Sequence, residues 1–169
     1  MQAHMVAIVL LTIAAACDLL TKKIPNLLIV SGYIIAFATM IILNGLRGSY
    51  IYFIRALVTT LILIIFYFLK ALGAGDIKLF SVISVFCPTD FFIRFIICSF
   101  LIAAVAGVIR LLINGELRYR MLTVVSHIKN CIITGEFTHY VPDSNSSYIC
   151  FSVYMLIGFI ISIGMEVLM

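Results

Sequence analysis

Apolar residues come in long unbroken runs along this chain, at 5–20, 27–43, 51–69, 77–87, 91–113 and 148–168. A transmembrane helix takes about 20 apolar residues, with a range of about 17–25. Half-buried strands would alternate with period two, and these runs do not. The breaks between runs carry turn chemistry: Ile24-Pro25-Asn26, Asn44-Gly45 with Gly48, Gly73-Ala74-Gly75 and Pro88-Thr89-Asp90. The pattern predicts an all-α polytopic membrane protein, a six-helix bundle forming one domain over 1–169. The one long polar stretch is 114–147, between runs five and six. Within it Leu117, Met121, Val124, Val125, Ile128, Cys131 and Ile132 recur at spacings of three and four, with Arg118, Arg120, His127, Lys129 and Asn130 mostly between them. This predicts a basic amphipathic helix, lying on the inner membrane face or packed on the bundle ends. Both readings put it at the cytoplasmic surface.

Composition agrees with the pattern. The 169 residues are 64% hydrophobic and 11% charged, with a mean hydropathy of +1.27, whereas soluble domains carry about 25% charged residues. A soluble domain and a disordered chain are both excluded. The net charge of +4 comes from bases that form no run, so no nucleic-acid partner is expected; the expected surroundings are a lipid bilayer. Cys17, Cys87, Cys98, Cys131 and Cys150 form no C-x-x-C pair, and no His/Cys spacing resembles a zinc site. His127 and His139 read as surface residues. No metal and no cofactor are predicted, and the cysteines read as packing residues. Residues 5–20 resemble a signal-peptide core, with Ala14-Ala15-Ala16-Cys17 faintly like a lipoprotein cleavage box. No Lys or Arg precedes the run, so it is expected to be a retained first span.

Charge then orients the spans. Lys22, Lys23, Lys70, Lys78, Arg110, Arg118, Arg120 and Lys129 lie in or beside the first, third and fifth gaps between runs, and Arg47, Arg55 and Arg94 in the other two. The positive-inside rule puts the odd gaps in the cytoplasm and both termini outside.

Against this topology two carboxylates stand out, since ionisable groups within membrane spans mark function by default. Asp18 ends the first run and Asp76 opens the fourth. Spans two and three go out and return, so both acids fall at the cytoplasmic face, where a compact bundle can bring them together. The run 77–87 is only about 16 Å long at 1.5 Å per residue, against about 30 Å of hydrocarbon. Asp76 is therefore expected below the inner surface, in a hydrated pocket enclosed by neighbouring protein. Two blander readings stay open: Asp76 as a helix N-cap, and Asp18 as the i,i+4 partner of Lys22. Gly73 and Gly75 favour a site, because two glycines beside Asp76 permit positive φ and close approach of a substrate strand. Two carboxylates held close share a proton near neutral pH. The ionised member can take a proton from water while the protonated one polarises a scissile carbonyl, and which is which belongs to the pair. Lys78, two residues past Asp76, is expected to point away from that carboxylate and to serve in substrate positioning or as an ordinary interfacial lysine. Pro25 with Asn26 sets the tight turn into span two.

Asp18-x-x-x-x-Lys23-Ile24-Pro25-Asn26 and Gly73-Ala74-Gly75-Asp76-Ile77-Lys78-Leu79 resemble the two signatures of the type IV prepilin peptidases, the G-x-G-D aspartic proteases of bacterial inner membranes. Archaeal preflagellin peptidases are similar, and presenilin-type proteases share the second motif. The resemblance implies catalysis by Asp18 and Asp76, with Gly73, Gly75, Lys78, Lys23, Pro25 and Asn26 supporting them. It implies a single-span prepilin-like substrate whose short basic leader is removed on the cytoplasmic side. Larger family members also methylate the new amino terminus and carry paired C-x-x-C zinc ligands. This sequence has no such pair, so it resembles the short peptidases of tight-adherence (Flp) pilus systems, and methylation is not expected. The other classes weighed are an archaeal preflagellin-type peptidase, an ion-coupled transporter, and a non-enzymatic subunit of a secretion system. A transporter would place its acids near the midplane, often in two related halves, and no repeat is evident.

Overall fold

The apolar runs form helices because nothing inside them breaks a helix and the backbone has no water to bond to in a bilayer. The computed structural model describes residues 2–69, 71–113 and 150–168. Among these residues the structure is all helical: α1 Gln2–Thr21, α2 Asn26–Phe68, α3 Ala74–Phe86, α4 Thr89–Ile113 and α5 Phe151–Leu168. The predicted amphipathic helix within 114–147 lies outside the described residues, as do His127 and His139. Met1–Ile102 with Cys150–Met169 make one compact unit, and Ala103–Ile149 another. The site and its supports belong to the first.

Two of the predicted runs, 27–43 and 51–69, join as α2, which is broken at Gly45 (φ 69°, ψ 171°). The break makes a hairpin. Phe37 meets Phe53, and Tyr33 and Thr60 meet on the hydroxyl of Ser81, so the two limbs run antiparallel. Among the described residues, five stretches are long and apolar enough to cross a membrane: His4–Thr21, Asn26–Leu43, Gly48–Phe68, Thr89–Arg110 and Phe151–Leu168.

The fourth predicted span departs from expectation. Its helix, α3, starts at Ala74 rather than at residue 77 and has 13 residues, about 20 Å of helix. That is too short to cross a bilayer unaided. From Ile77 to Phe86 every residue but Lys78 is buried, the signature of a helix wrapped by others. Exposed apolar residues sit elsewhere, as Val30, Ile34, Ile42, Leu61 and Ile65 on α2 and Ile93, Ile97 and Leu101 on α4.

Cross-helix contacts set the direction of each element. Lys78 reaches Asn26, and Tyr33 reaches Ser81, so α3 runs parallel to the first limb of α2. His4 stacks on Phe91 and lies 3.7 Å from Glu166, while Asp18 bonds Ser152. Thus α1 and α5 are antiparallel. The end of α1 and the starts of α2, α3 and α5 gather at one end of the bundle.

Candidate active site

On α1 the buried residues Ala7, Leu10, Leu11, Ala14, Ala15 and Asp18 follow spacings of three and four, which keeps them on one face of the helix. Asp18 extends this inward stripe of small and apolar residues by one more turn and is only 2% exposed. Its next neighbours, Leu19 and Leu20, face outward. The helix stops one turn later. The Lys22 backbone N–H donates to the Asp18 carbonyl (2.9 Å) with Lys22 at φ 54°. That is a left-handed helix cap occupied by a lysine, at a cost of about 1–2 kcal/mol. The chain then passes through exposed Lys23, whose carbonyl accepts the Thr21 hydroxyl (2.9 Å). Pro25, extended at φ −66° and ψ 135°, is the N-cap of α2.

Asp76 reaches the same end from α3. The cap of that helix is Gly73, so Asp76 falls in the first turn and is not the cap. Its own N–H donates to the Gly73 carbonyl (3.1 Å), and its carboxylate accepts the Gly73 N–H. This is the return half of a capping box, and it holds a carboxylate at a helix N-terminus, where the dipole suits an anion. Asp76 is half-buried, and the charges of Asp18 and Asp76 are close enough to act on each other.

The supporting residues divide. Lys78 is exposed and its Nζ donates to Asn26 Oδ1 at 3.3 Å, which ties the start of α3 to the start of α2. Two residues along the helix from Asp76, it lies about 200° around the axis from that residue. The glycines differ from expectation, because neither has positive φ. Gly75 lies inside α3, and a β-carbon there would sit 3.4 Å from Ile24 Cβ. Its missing side chain therefore admits Ile24 rather than a substrate. Gly73 is the glycine beside the carboxylate: a β-carbon there would meet Asp76 Oδ2 at 3.0 Å. A cavity of about 440 Å³ adjoins it, lined by Tyr67, Phe68, Ala71, Leu72 and Gly73.

One site residue escaped the sequence reading. Ser152, at the start of α5, donates its hydroxyl to Asp18 Oδ2 at 2.9 Å, and Cys150 Sγ lies 3.7 Å from the Asp18 carbonyl. The available signal was a hydroxyl at the mouth of an otherwise apolar run. Among the described residues no three His, Cys, Asp or Glu side chains gather as metal ligands would.

No curated protein and no solved structure matches the chain. A family model, described as the type IV leader peptidase family, matches residues 5–109. That stretch is more than half of the chain and contains both aspartates, the turn from Lys22 to Asn26 and all of α3. With both acids at one end of the bundle and the match running through them, the chain belongs to the type IV leader peptidase family, membrane proteases of the aspartic type.

Proposed function

We propose that the protein is an aspartic endopeptidase of the cytoplasmic membrane that removes the short basic leader from Flp-type prepilin-like substrates at the inner face. The observation that carries the reading is the placement of Asp18, in the last turn of α1, and Asp76, in the first turn of α3, at the same end of the bundle. The two helices contribute these turns to one end of the bundle, and the lysines at that end, Lys22, Lys23 and Lys78, favour a cytoplasmic position.

The chemistry needs only this chain and water. The ionised carboxylate takes a proton from a water molecule whose oxygen attacks the scissile carbonyl carbon. The protonated carboxyl donates to the carbonyl oxygen as the tetrahedral intermediate forms. Collapse of that intermediate breaks the C–N bond, and the proton taken from water passes to the departing amine. No acyl-enzyme forms.

Asp18→Asn and Asp76→Asn each remove a proton-carrying group while keeping shape. Each is expected to abolish cleavage of a single-span substrate, with the protein still inserted and folded. Cleavage near the wild-type rate by either variant would overturn the assignment.

A further inference from the structure

We propose that Ser152 is a positioning residue of the aspartate pair, its hydroxyl fixing the rotation of the Asp18 carboxylate. The inference rests on the peptidase reading and concerns α5, which lies outside the matched residues 5–109.

Asp18 is 2% exposed and Ser152 is 0% exposed, so their 2.9 Å hydrogen bond is closed to bulk water. A buried carboxylate requires donors, and a hydrogen bond to an ionised group is stronger than one between neutral groups. The torsion that rotates a carboxylate is broad and roughly two-fold. Asp18 therefore has no intrinsic preference for which oxygen faces Asp76. A donor fixed on Oδ2 supplies that preference.

Of the other buried serines, Ser81 also crosses to another helix, but to a backbone carbonyl, that of Ala56 at 2.7 Å. Ser84, Ser99 and Ser162 donate back to carbonyls of their own helices, at 2.7, 2.7 and 2.8 Å, the usual fate of a hydroxyl in an apolar helix. Ser152 is the second residue of α5 and has no preceding turn of that helix to bond. Its hydroxyl is left to reach across to α1. The α5 face that carries it, Ser152, Met155, Phe159 and Ser162, is buried throughout, so the donor stands on a rigid element rather than on a loop.

The test uses the full-length protein in detergent or vesicles and a synthetic single-span substrate with a lysine-rich leader ending in glycine. Ser152→Ala is expected to lower kcat at least tenfold with KM within twofold of wild type. Ser152→Thr, which restores the hydroxyl, is expected to keep at least a third of wild-type kcat. Wild-type kcat in Ser152→Ala, a change confined to KM, or an equal loss in the Ala and Thr variants would overturn the proposal. If Ser152→Ala does not fold, the near-isosteric Ser152→Cys decides. Its weaker donor should cost at least threefold in kcat, and a wild-type kcat there would also overturn it. Failure of the wild-type protein to cleave removes the peptidase reading itself, whereas full activity in Ser152→Ala beside an inactive Asp18→Asn removes this inference alone.

Discussion

Asp76 is held by the residue three positions before it, and that makes Gly73 the more sensitive of the two glycines. Gly73→Ala places a β-carbon 3.0 Å from Asp76 Oδ2, and the carboxylate must give way by a few tenths of an ångström. Catalytic rates fall steeply with such misplacement, so a loss of roughly tenfold in kcat is expected, with unchanged expression. Steady-state cleavage checks it, and a wild-type kcat would show that the carboxylate has slack. Gly75→Val acts by another route. Its γ-methyls crowd Ile24, already 3.4 Å from the position of a new β-carbon, and push the turn before Pro25 away from α3. Most of the activity should go while the protein still accumulates in the membrane. Retained cleavage would mean that the contact between Gly75 and Ile24 can yield without moving either acid.

Between helices, glycine serves two different ends, and alanine separates them. Gly158 lets α5 approach α4 closely, since a β-carbon there would lie 2.5 Å from Ser99 Oγ and 2.8 Å from the Ser99 backbone nitrogen. The backbone cannot swing aside as a side-chain tip would, so Gly158→Ala is expected to cost about 1–3 kcal/mol through overpacking. Gly45 has nothing within 4 Å of a would-be β-carbon but stands at φ 69° and ψ 171°, a conformation that is essentially restricted to glycine. Gly45→Ala is expected to cost about 1–3 kcal/mol through strain. Trimming Ser99 to alanine should rescue part of the loss in Gly158→Ala, and no side-chain trimming should rescue Gly45→Ala. Thermal unfolding in one detergent reads both, and full stability in either variant would contradict the corresponding cause.

At the scale of the whole molecule, the site sits at the end of the bundle where α1 finishes and α3 begins, beside helices whose outer faces are apolar. A substrate must bring its scissile bond to that level. On the proposed function, a membrane-inserted helix with a basic leader would do so, its apolar part remaining in lipid and its leader near the anionic inner surface. The bond must lie where helix gives way to extended chain, and a small residue before the cut eases that change. Cleavage is therefore expected after Gly or another small residue at the leader–helix junction. Four residues inserted into the leader should be tolerated, because they only lengthen a solvated segment. Mass analysis of the products identifies the cut, and equal cleavage of a soluble peptide lacking the apolar helix would contradict the depth argument.

Run lengths and turn residues were enough to order the helices, because a bilayer leaves the backbone almost no alternative. Their parity alone put Asp18 and Asp76 at one end, since two limbs joined at Gly45 must go out and return. The motifs around those acids were legible for the same reason, as each lies at the boundary of an apolar run, where polar residues are conspicuous. What the one-dimensional pattern could not carry was the packing of one helix against another. That α3 begins at Ala74 and is wrapped on nearly all sides follows from its neighbours, and its own apolar run reads the same as a short span. Gly75 looked like clearance for a substrate and is clearance for Ile24, because only the docking of the Ile24–Pro25 turn on α3 decides what fills the space. Ser152 stands 134 positions from Asp18. No local signal relates two residues that far apart, and only the antiparallel packing of α5 on α1 sets a hydroxyl on the buried carboxylate.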